Sequence, residues 1–329
     1  MTDMRQLSEL AQSQSALVQN LTKGMNQIIV GQSHLVESLL VALLADGHVL
    51  LEGVPGLAKT LAIKTLASLV NADFSRIQFT PDLLPADVVG TLVYSQRSET
   101  FSVKHGPIFA HFVLADEINR APAKVQSALL EAMQEHQVTI GENTMPLPNP
   151  FFVMATQNPI DQEGTYALPE AQTDRFMLKI LVDYPTLEEE RAIARRHLDG
   201  SIAAPVQPLT DVPHILAARD AVKQIYVDER ITQYAADLVR ATRFPAEYGQ
   251  AALQPMIGCG ASPRATINLV LAARALALIR QRGYVVPEDV RDMAPEVLRH
   301  RVALTYEAEA EQMTADDVVA QIIAAVPLP

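Results

Sequence analysis

A glycine-rich loop that joins an apolar run to a helical pattern constrains this chain more than any other feature. Residues 48–51 form the largely apolar run, and residues 61–70 repeat their apolar positions with the spacing of a helix. A strand, a glycine-rich loop, a Lys-Thr pair and a helix form the layout of a phosphate-binding loop. The residues that we expect to contact a nucleotide here are Gly53, Val54, Pro55, Gly56, Leu57, Ala58, Lys59, Thr60 and Leu61.

The chemistry of this loop suits an anion. Small residues let backbone N–H groups turn towards a phosphate, and the N-terminus of the next helix adds a positive dipole. Lys59 can reach the β- and γ-phosphates, and the Thr60 hydroxyl can ligate Mg²⁺. Ala58 departs from the usual pattern, in which a glycine precedes the lysine, and its methyl group is tolerable only if the residue keeps a right-handed backbone. The alternative interpretation is a turn that merely ends in Lys-Thr.

Two acidic residues follow a second apolar run. Residues 111–115 have the character of a buried parallel strand, and Asp116 and Glu117 come directly after them. Because ligands in open α/β sheets bind at the carboxyl ends of strands, both acids should emerge beside the phosphates. We expect Asp116 to hold Mg²⁺, mostly through water, and Glu117 to polarise the attacking water. A strand followed by an acidic helix cap is the alternative.

A third strand and an arginine complete the predicted catalytic set. Residues 151–156 are apolar, and Asn158 follows them, where an amide can position water near the γ-phosphate. Arg175 precedes another apolar stretch, residues 177–182, and can project into the site of a neighbouring subunit. The alternative for Arg175 is a surface arginine or one that pairs with an aspartate.

The second half of the chain has helical patterns from residue 186 onward, which predict an all-α domain. Ser262 and Pro263 mark one helix start, as the capping residue and the first helical residue. Arg264 therefore lies in a first turn, where a positive charge opposes the helix dipole. The predicted helices are residues 187–198, 214–225, 229–243, 263–281, 287–293 and 308–325.

These motifs closely resemble those of the MoxR-type AAA+ ATPases. The segments that carry the resemblance look like the Walker A, Walker B, sensor 1 and arginine-finger motifs, and they are residues 53–60, 115–126, 155–159 and 168–176. The family commonly has alanine before the lysine of its phosphate loop, so Ala58 fits. The similarity extends over nearly the whole chain.

The resemblance implies a fold and further site residues. It implies an α/β AAA+ P-loop domain over residues 1–185, with a parallel sheet between helices, hairpin insertions and an N-terminal helix. An all-α lid over residues 186–329 follows. Gly31 would lie by the adenine, although an ordinary turn is an alternative, and Ser33 is predicted to cap the next helix. Arg264 looks like sensor 2, which touches the γ-phosphate in its own or the next subunit; pairing with a local carboxylate is the alternative.

Two hairpins are predicted within the first domain. Residues 89–94 and 100–104 alternate as short strands. Residues 138–140, the turn at residues 141–143 and the stretch 146–150 look like a second hairpin. The resemblance places the first hairpin at a central pore. Solvated loops and client-contacting loops are both open interpretations.

Composition narrows the class of function. The chain has 329 residues and a net charge of −12, which disfavours sequence-independent binding of nucleic acid. Cys259 is the only cysteine, so an intrachain disulfide is impossible and a reducing compartment, the cytoplasm, is expected. We find no signal-peptide pattern, no bilayer-spanning run and no Cys/His set with metal-ligand spacing.

The sequence therefore predicts an enzyme that hydrolyses ATP with Mg²⁺. The resemblance implies a homo-oligomeric ring, expected to be a hexamer, that remodels or matures a protein client. A partner with a von Willebrand A domain is also implied, whereas nucleic acid and membrane insertion are not expected. The alternatives are a motor stimulated by nucleic acid and a slow, nucleotide-gated scaffold.

Overall fold

The computed structural model describes residues 4–54, 57–158, 166, 168–198 and 206–329, so the predicted loop residues Pro55 and Gly56 lie outside the described residues. The first part of the chain is α/β. Its elements are α1 (Met4–Ile28), α2 (Ser33–Leu44), β1 (Val49–Glu52), α3 (Lys59–Leu69), β2 (Phe74–Gln78), α4 (Pro85–Val89), β3 (Gly90–Ser95), β4 (Thr100–His105), β5 (Phe112–Asp116), α5 (Ala123–Glu135), β6 (Gln137–Ile140), β7 (Asn143–Pro146), β8 (Phe152–Gln157), α6 (Glu170–Thr173) and β9 (Leu178–Leu181).

A five-stranded parallel sheet forms the centre of this part, with the strand order β2-β5-β8-β1-β9. Val49 of β1 pairs with Met154 of β8, and Phe112 of β5 pairs with Phe152 of β8. Because all five strands run the same way, their carboxyl ends meet at one edge of the sheet. That edge carries the residues that end β1, β5 and β8.

Helices cover both faces of the sheet. Alternate residues of β5 enter two different clusters: Phe112 and Leu114 pack with α2 and α3, whereas Val113 and Ala115 pack with α5. Strands buried on both faces read as continuous apolar runs, which is why the sequence predicted them. Each fully buried Phe or Leu side chain contributes about 1.5–3 kcal/mol to stability.

Both predicted hairpins are present. β3 pairs antiparallel with β4, and β6 pairs antiparallel with β7. The first hairpin leaves apolar side chains in solvent: Phe101 is 68% exposed, and its ring centroid lies 5.1 Å from that of Tyr94.

The second part of the chain is mainly helical. Its elements are α7 (Leu187–Leu198), α8 (Val212–Gln224), α9 (Glu229–Ala241), β10 (Ile257–Cys259), α10 (Pro263–Ile279), α11 (Pro287–Leu298), β11 (Ala303–Leu304), α12 (Tyr306–Ala310) and α13 (Ala315–Ala325). The antiparallel pair β10–β11 is an addition to the predicted all-α domain. Within the described residues, no helix combines the length and apolar character that crossing a bilayer requires.

Two local predictions were wrong. The helix predicted over residues 308–325 is divided into α12 and α13, because Thr314 and Asp317 form a capping box that starts a new helix. Ser33 does not cap α2. Gln32 occupies the capping position in a left-handed conformation, with no side-chain capping hydrogen bond, and its amide donates instead to the Asp183 carbonyl (2.9 Å).

Candidate functional site

A cavity of about 410 Å³ opens at the carboxyl edge of the sheet and gathers most of the predicted site residues. Three residues that the sequence analysis did not assign also line it, namely Arg76, Thr156 and Gln157. Val54 is half-buried against the core and does not line the cavity. The predicted residues that line it are Gly53, Leu57, Ala58, Lys59, Thr60, Leu61, Asp116, Glu117 and Asn158.

The backbone of Ala58 corrects a prediction. Ala58 has φ 57° and ψ 16°, which is left-handed, whereas the sequence analysis required a right-handed conformation. Such a conformation costs an L-residue about 1–2 kcal/mol. The strained residue, Ala58, is the N-cap of α3 and directly precedes the start of the helix at Lys59. Sparsely populated backbone conformations cluster at ligand-binding sites, so this strain is consistent with a phosphate loop.

Lys59 is folded back onto the loop. Its Nζ donates a hydrogen bond to the Gly53 carbonyl, and burial lowers the pKa of the Lys59 ammonium, while the charges of Asp116 and Glu117 oppose that shift. Gly53 is required by close packing, because a Cβ atom there would lie 2.5 Å from the carbonyl oxygen of Val182, just after β9. The lysine can exchange one carbonyl for a phosphate oxygen without unfolding the helix.

Asp116 is held by two neighbours. Its Oδ1 accepts a hydrogen bond from Thr156 Oγ1 (2.6 Å), and its Oδ2 accepts one from Arg76 Nη2 (2.6 Å). Among the described residues, no group of three or more His, Cys, Asp or Glu side chains is arranged to hold a metal. A Mg²⁺ ion here would depend on Thr60, Asp116, water and phosphate oxygens, which is the donor set that Mg²⁺ prefers. The residues therefore fit a nucleotide-bound Mg²⁺.

Glu117 is restrained in this structure. Its Oε2 accepts hydrogen bonds from Arg120 Nη1 (2.9 Å) and Gln78 Nε2 (3.1 Å). Its backbone has a left-handed φ of 55°, and its N–H donates to Thr156 Oγ1 (2.8 Å). The carboxylate is positioned at the mouth of the cavity, and two donors compete with water for it.

An apolar cavity of about 150 Å³ adjoins the first one and shares Leu57, Ala58 and Leu61 with it. Gly31 does not line this second cavity. Its φ is +67°, and a Cβ atom there would lie 2.3 Å from Glu189 Oε1, so the glycine lets α7 approach. The remaining lining residues are Ile28, Val30, Gln32, Pro185 and Ile193.

This second cavity suits a planar base, because its walls are mostly apolar and it adjoins the phosphate loop. Val30 and Gln32, which flank Gly31, line it instead of the predicted Gly31. Pro185 and Ile193 were missed by the sequence analysis. No local pattern could have identified them, since only the packing of α7 against the loop brings them there.

Arg175 and Arg264 do not line the phosphate cavity. Both line a separate cavity of about 660 Å³. Ser262 caps α10 as predicted, accepting a hydrogen bond from the Arg264 N–H (3.3 Å). Arg264 Nη1 lies 3.8 Å from Asp174 Oδ2, so the alternative of a local carboxylate partner is realised. Within one chain, the phosphate loop and these arginines occupy different cavities.

Asp174 directly precedes Arg175, and its carboxylate connects this turn to the helical domain. Its Oδ1 accepts a hydrogen bond from Arg301 Nε (2.6 Å), and its Oδ2 accepts one from Ser262 Oγ (3.2 Å). The Arg301 side chain is 1% exposed and also donates to the Phe176 carbonyl (2.6 Å). Arg301 was not predicted, because its partner lies 127 residues away in sequence.

Comparison with known proteins agrees with this geometry. Residues 48–178 match the model of the ATPase family associated with various cellular activities (AAA), and residues 249–322 match the AAA lid domain. A crystal structure of a proposed ATPase from Cytophaga hutchinsonii superposes with a TM-score of 0.93 at 46% identity, covering 100% of both chains.

Curated relatives match over most of the chain. Chaperone MoxR1 of Mycobacterium tuberculosis is 51% identical over 303 residues, which is 92% of this chain and 80% of the relative. Protein MoxR of Paracoccus denitrificans is 31% identical, over 88% of this chain and 90% of the relative. The phosphate cavity, the helical lid and this similarity all agree. The chain belongs to the MoxR family of AAA+ ATPases.

Proposed function

We propose that this ATPase uses Mg²⁺-dependent hydrolysis of ATP to remodel or mature a protein client, working as a homo-oligomeric ring. The observation that carries the proposal is the convergence of Lys59, Asp116, Glu117 and Asn158 on one cavity beside an apolar pocket. This combination suits a nucleotide with its base in the apolar pocket and its phosphates over the loop.

Each of these residues has its own role in ATP hydrolysis. Lys59 leaves the Gly53 carbonyl and binds phosphate oxygens, and backbone N–H groups at the start of α3 bind others. Mg²⁺, when bound with Thr60 and Asp116, neutralises charge on the phosphates. Asn158 orients the attacking water, and Glu117 accepts its proton as the water oxygen bonds to the γ-phosphorus. The bond from the γ-phosphorus to the β–γ bridging oxygen breaks in the same reaction, and ADP is the leaving group.

Two donors already bind the carboxylate oxygen Oε2 of Glu117, where a water molecule could otherwise bind. Gln78 and Arg120 both donate to Glu117 Oε2, so the described arrangement is a resting one. Opening either hydrogen bond would free a site on the carboxylate for the attacking water. The two donors thereby limit futile hydrolysis when the site is not fully assembled.

Arg175 and Arg264 would act on the nucleotide of the adjacent subunit. Their cavity is also lined by Arg299, Arg301 and one carboxylate, that of Asp174. This excess of positive charge suits a phosphate from outside the chain. A ring, which we propose to be a hexamer, supplies that phosphate to every subunit.

The test is a mixing experiment. Arg175→Ala chains retain an intact phosphate loop, and Lys59→Ala chains retain an intact finger, so mixed rings should recover part of the ATPase activity that each variant loses. Arg97→Ala, on the exposed turn between β3 and β4, is the matched control and should leave turnover near the wild-type rate. Absence of recovery, in mixtures shown by mass spectrometry to contain both chains, would contradict action between subunits.

A protein is the client that we propose. The chaperone name of the M. tuberculosis relative supports this choice, and the exposed Tyr94 and Phe101 side chains offer an apolar contact on the β3–β4 hairpin. The net charge of −12 disfavours nucleic acid. A von Willebrand A-domain protein is a proposed partner, and the cytoplasm, consistent with the unpaired Cys259, is the proposed location.

The client class can be tested by stimulation of turnover. ATPase rates are measured with single- and double-stranded DNA, with RNA and with candidate partner proteins, at near-physiological salt. We expect stimulation by a protein and loss of that stimulation in Phe101→Ser. Strong, salt-sensitive stimulation by nucleic acid would favour a motor, and negligible turnover under every condition would favour a scaffold.

A further inference from the structure

A fourth cavity, of about 400 Å³, lies far from the phosphate loop. Asp46, which precedes β1, and Asn149, which precedes β8, both line it. The cavity is therefore at the amino edge of the sheet, opposite the carboxyl edge that carries the phosphate cavity. Its other walls come from α8 and α10 of the helical domain. A molecule bound there would contact both parts of the chain.

The charges in this cavity are unbalanced. Three basic side chains, Arg219, Lys223 and Arg274, and two acidic ones, Asp46 and Asp220, line it. One positive charge is thus in excess, in a chain whose net charge is −12. Lys223 and Asp220 pair with each other in solvent, so their interaction is screened.

Arg219 is a buried cation with an unsatisfied donor. Its exposure is 4%, its Nε donates to the Leu43 carbonyl (2.8 Å), and its Nη1 donates to Asp46 Oδ1 (2.5 Å). Its Nη2 is buried and has no hydrogen-bond partner among the described residues. A buried donor without a partner costs about 1–3 kcal/mol, and more when the group is charged.

Arg274 adds a second unsatisfied donor. It lies on α10, and its Nε is also buried without a hydrogen-bond partner in the described part of the chain. Two guanidinium groups that line one cavity, each with a buried N–H that has no acceptor among the described residues, indicate a missing acceptor. Apart from Asn149, the rest of the wall is apolar and includes Leu44, Leu216 and Leu271.

We propose that this cavity binds a small organic anion that carries one carboxylate or phosphate group on an apolar body. The anionic group binds between Arg219 and Arg274, and the apolar body packs against Leu216 and Leu271. The volume lies within the range of small-molecule sites. The site is separate from the nucleotide cavity and does not depend on the proposed client.

Fluorine NMR can test this site with defined probes. The protein, saturated with ADP to occupy the phosphate loop, is titrated at constant ionic strength with para-fluorobenzoate, with para-fluorophenyl phosphate and with neutral para-fluorobenzyl alcohol. We expect at least one anionic probe to bind about tenfold more tightly than the alcohol, because a charged hydrogen bond is lost with the neutral probe. The two anions show which group the site prefers.

Three variants test whether the anionic probe binds in this cavity. Arg274→Met should weaken binding of the anion about tenfold or more. Lys223→Met, at a position where the side chain is exposed, should weaken it about two- to fivefold. Arg230→Met removes an exposed arginine outside the cavity and should have no effect.

Several results would overturn the proposal. They are equal binding of the neutral and anionic probes, no binding at millimolar concentrations, or binding that ADP abolishes. Retention of full affinity in a folded Arg274→Met protein would also do so, and if that variant does not fold, unchanged affinity in Lys223→Met would serve the same purpose.

Discussion

Replacing Arg301 by Met should destabilise the protein and also misplace Arg175, the proposed arginine finger. Arg301 is 1% exposed at its side chain and bonds Asp174, the residue directly before Arg175. Met preserves most of the volume but removes the charge and every donor. Asp174, together with the carbonyls of Phe176 and Met177, then lacks its main partner.

The expected loss of stability in Arg301→Met follows from the burial of this ion pair. Removing one partner of a buried ion pair costs about 3–5 kcal/mol. Asp174 is 22% exposed, so water compensates part of that cost, and we expect about 2–4 kcal/mol. Burial lowers the pKa of Arg301, while the hydrogen bond that Arg301 donates to Asp174 opposes that shift, which is consistent with a desolvated pair. Since about 1 kcal/mol shifts the Tm of a large domain by about 2–4 °C, the Tm should fall by about 4–16 °C.

Differential scanning calorimetry of wild type, Arg301→Met and Arg230→Met measures this loss. Arg230 pairs with Asp228 at the surface, so its substitution should change the Tm by less than about 2 °C. ATPase activity of the Arg301→Met protein, measured well below its Tm, should fall with little change in ATP affinity. Equal Tm shifts in the two variants, or full activity in Arg301→Met, would refute the role of Asp174 as a link.

Two further results are expected. Gln78→Ala removes one donor from Glu117 and should raise basal ATPase turnover about two- to fivefold; an unchanged or lower rate would show that Gln78 does not restrain the carboxylate. The hydrogen bond to Glu296 raises the pKa of His34 above 6.5, so this contact stabilises the protein fully below that value and less as pH rises through the raised pKa. The Tm difference between wild type and His34→Gln should therefore shrink from about pH 6 to about pH 8, and a constant difference would contradict the linkage.

The phosphate site was largely predictable because its signals are local. The strands that end at Asp116 and Gln157 are continuous apolar runs, and strands of that kind stand out from helices and loops. The order of strand, loop, Lys59 and helix fixes where phosphates bind before any tertiary contact is known. The fold class followed from these elements and from the resemblance.

What the sequence could not supply depends on tertiary contacts. The left-handed backbone of Ala58 is imposed where the loop meets α3, and the wall provided by Ile193 exists only because α7 packs there. The pair of Asp174 and Arg301 joins residues that are 127 positions apart. The division of α12 from α13 had a local signal in Thr314 and Asp317, and the apolar periodicity around it concealed that signal.

Glu117→Gln tests the central claim most directly. The variant keeps Lys59, Thr60 and the apolar pocket, so its ATP affinity should stay within about threefold of wild type, whereas kcat should fall at least about 100-fold because the proton acceptor is lost. Glu131→Gln, on the exposed side of α5, is the control and should hydrolyse ATP normally. The measurement is single-turnover hydrolysis alongside binding of a fluorescent ATP analogue. Tight binding with abolished hydrolysis is the predicted result, and hydrolysis at the wild-type rate by the Glu117→Gln protein would contradict the account.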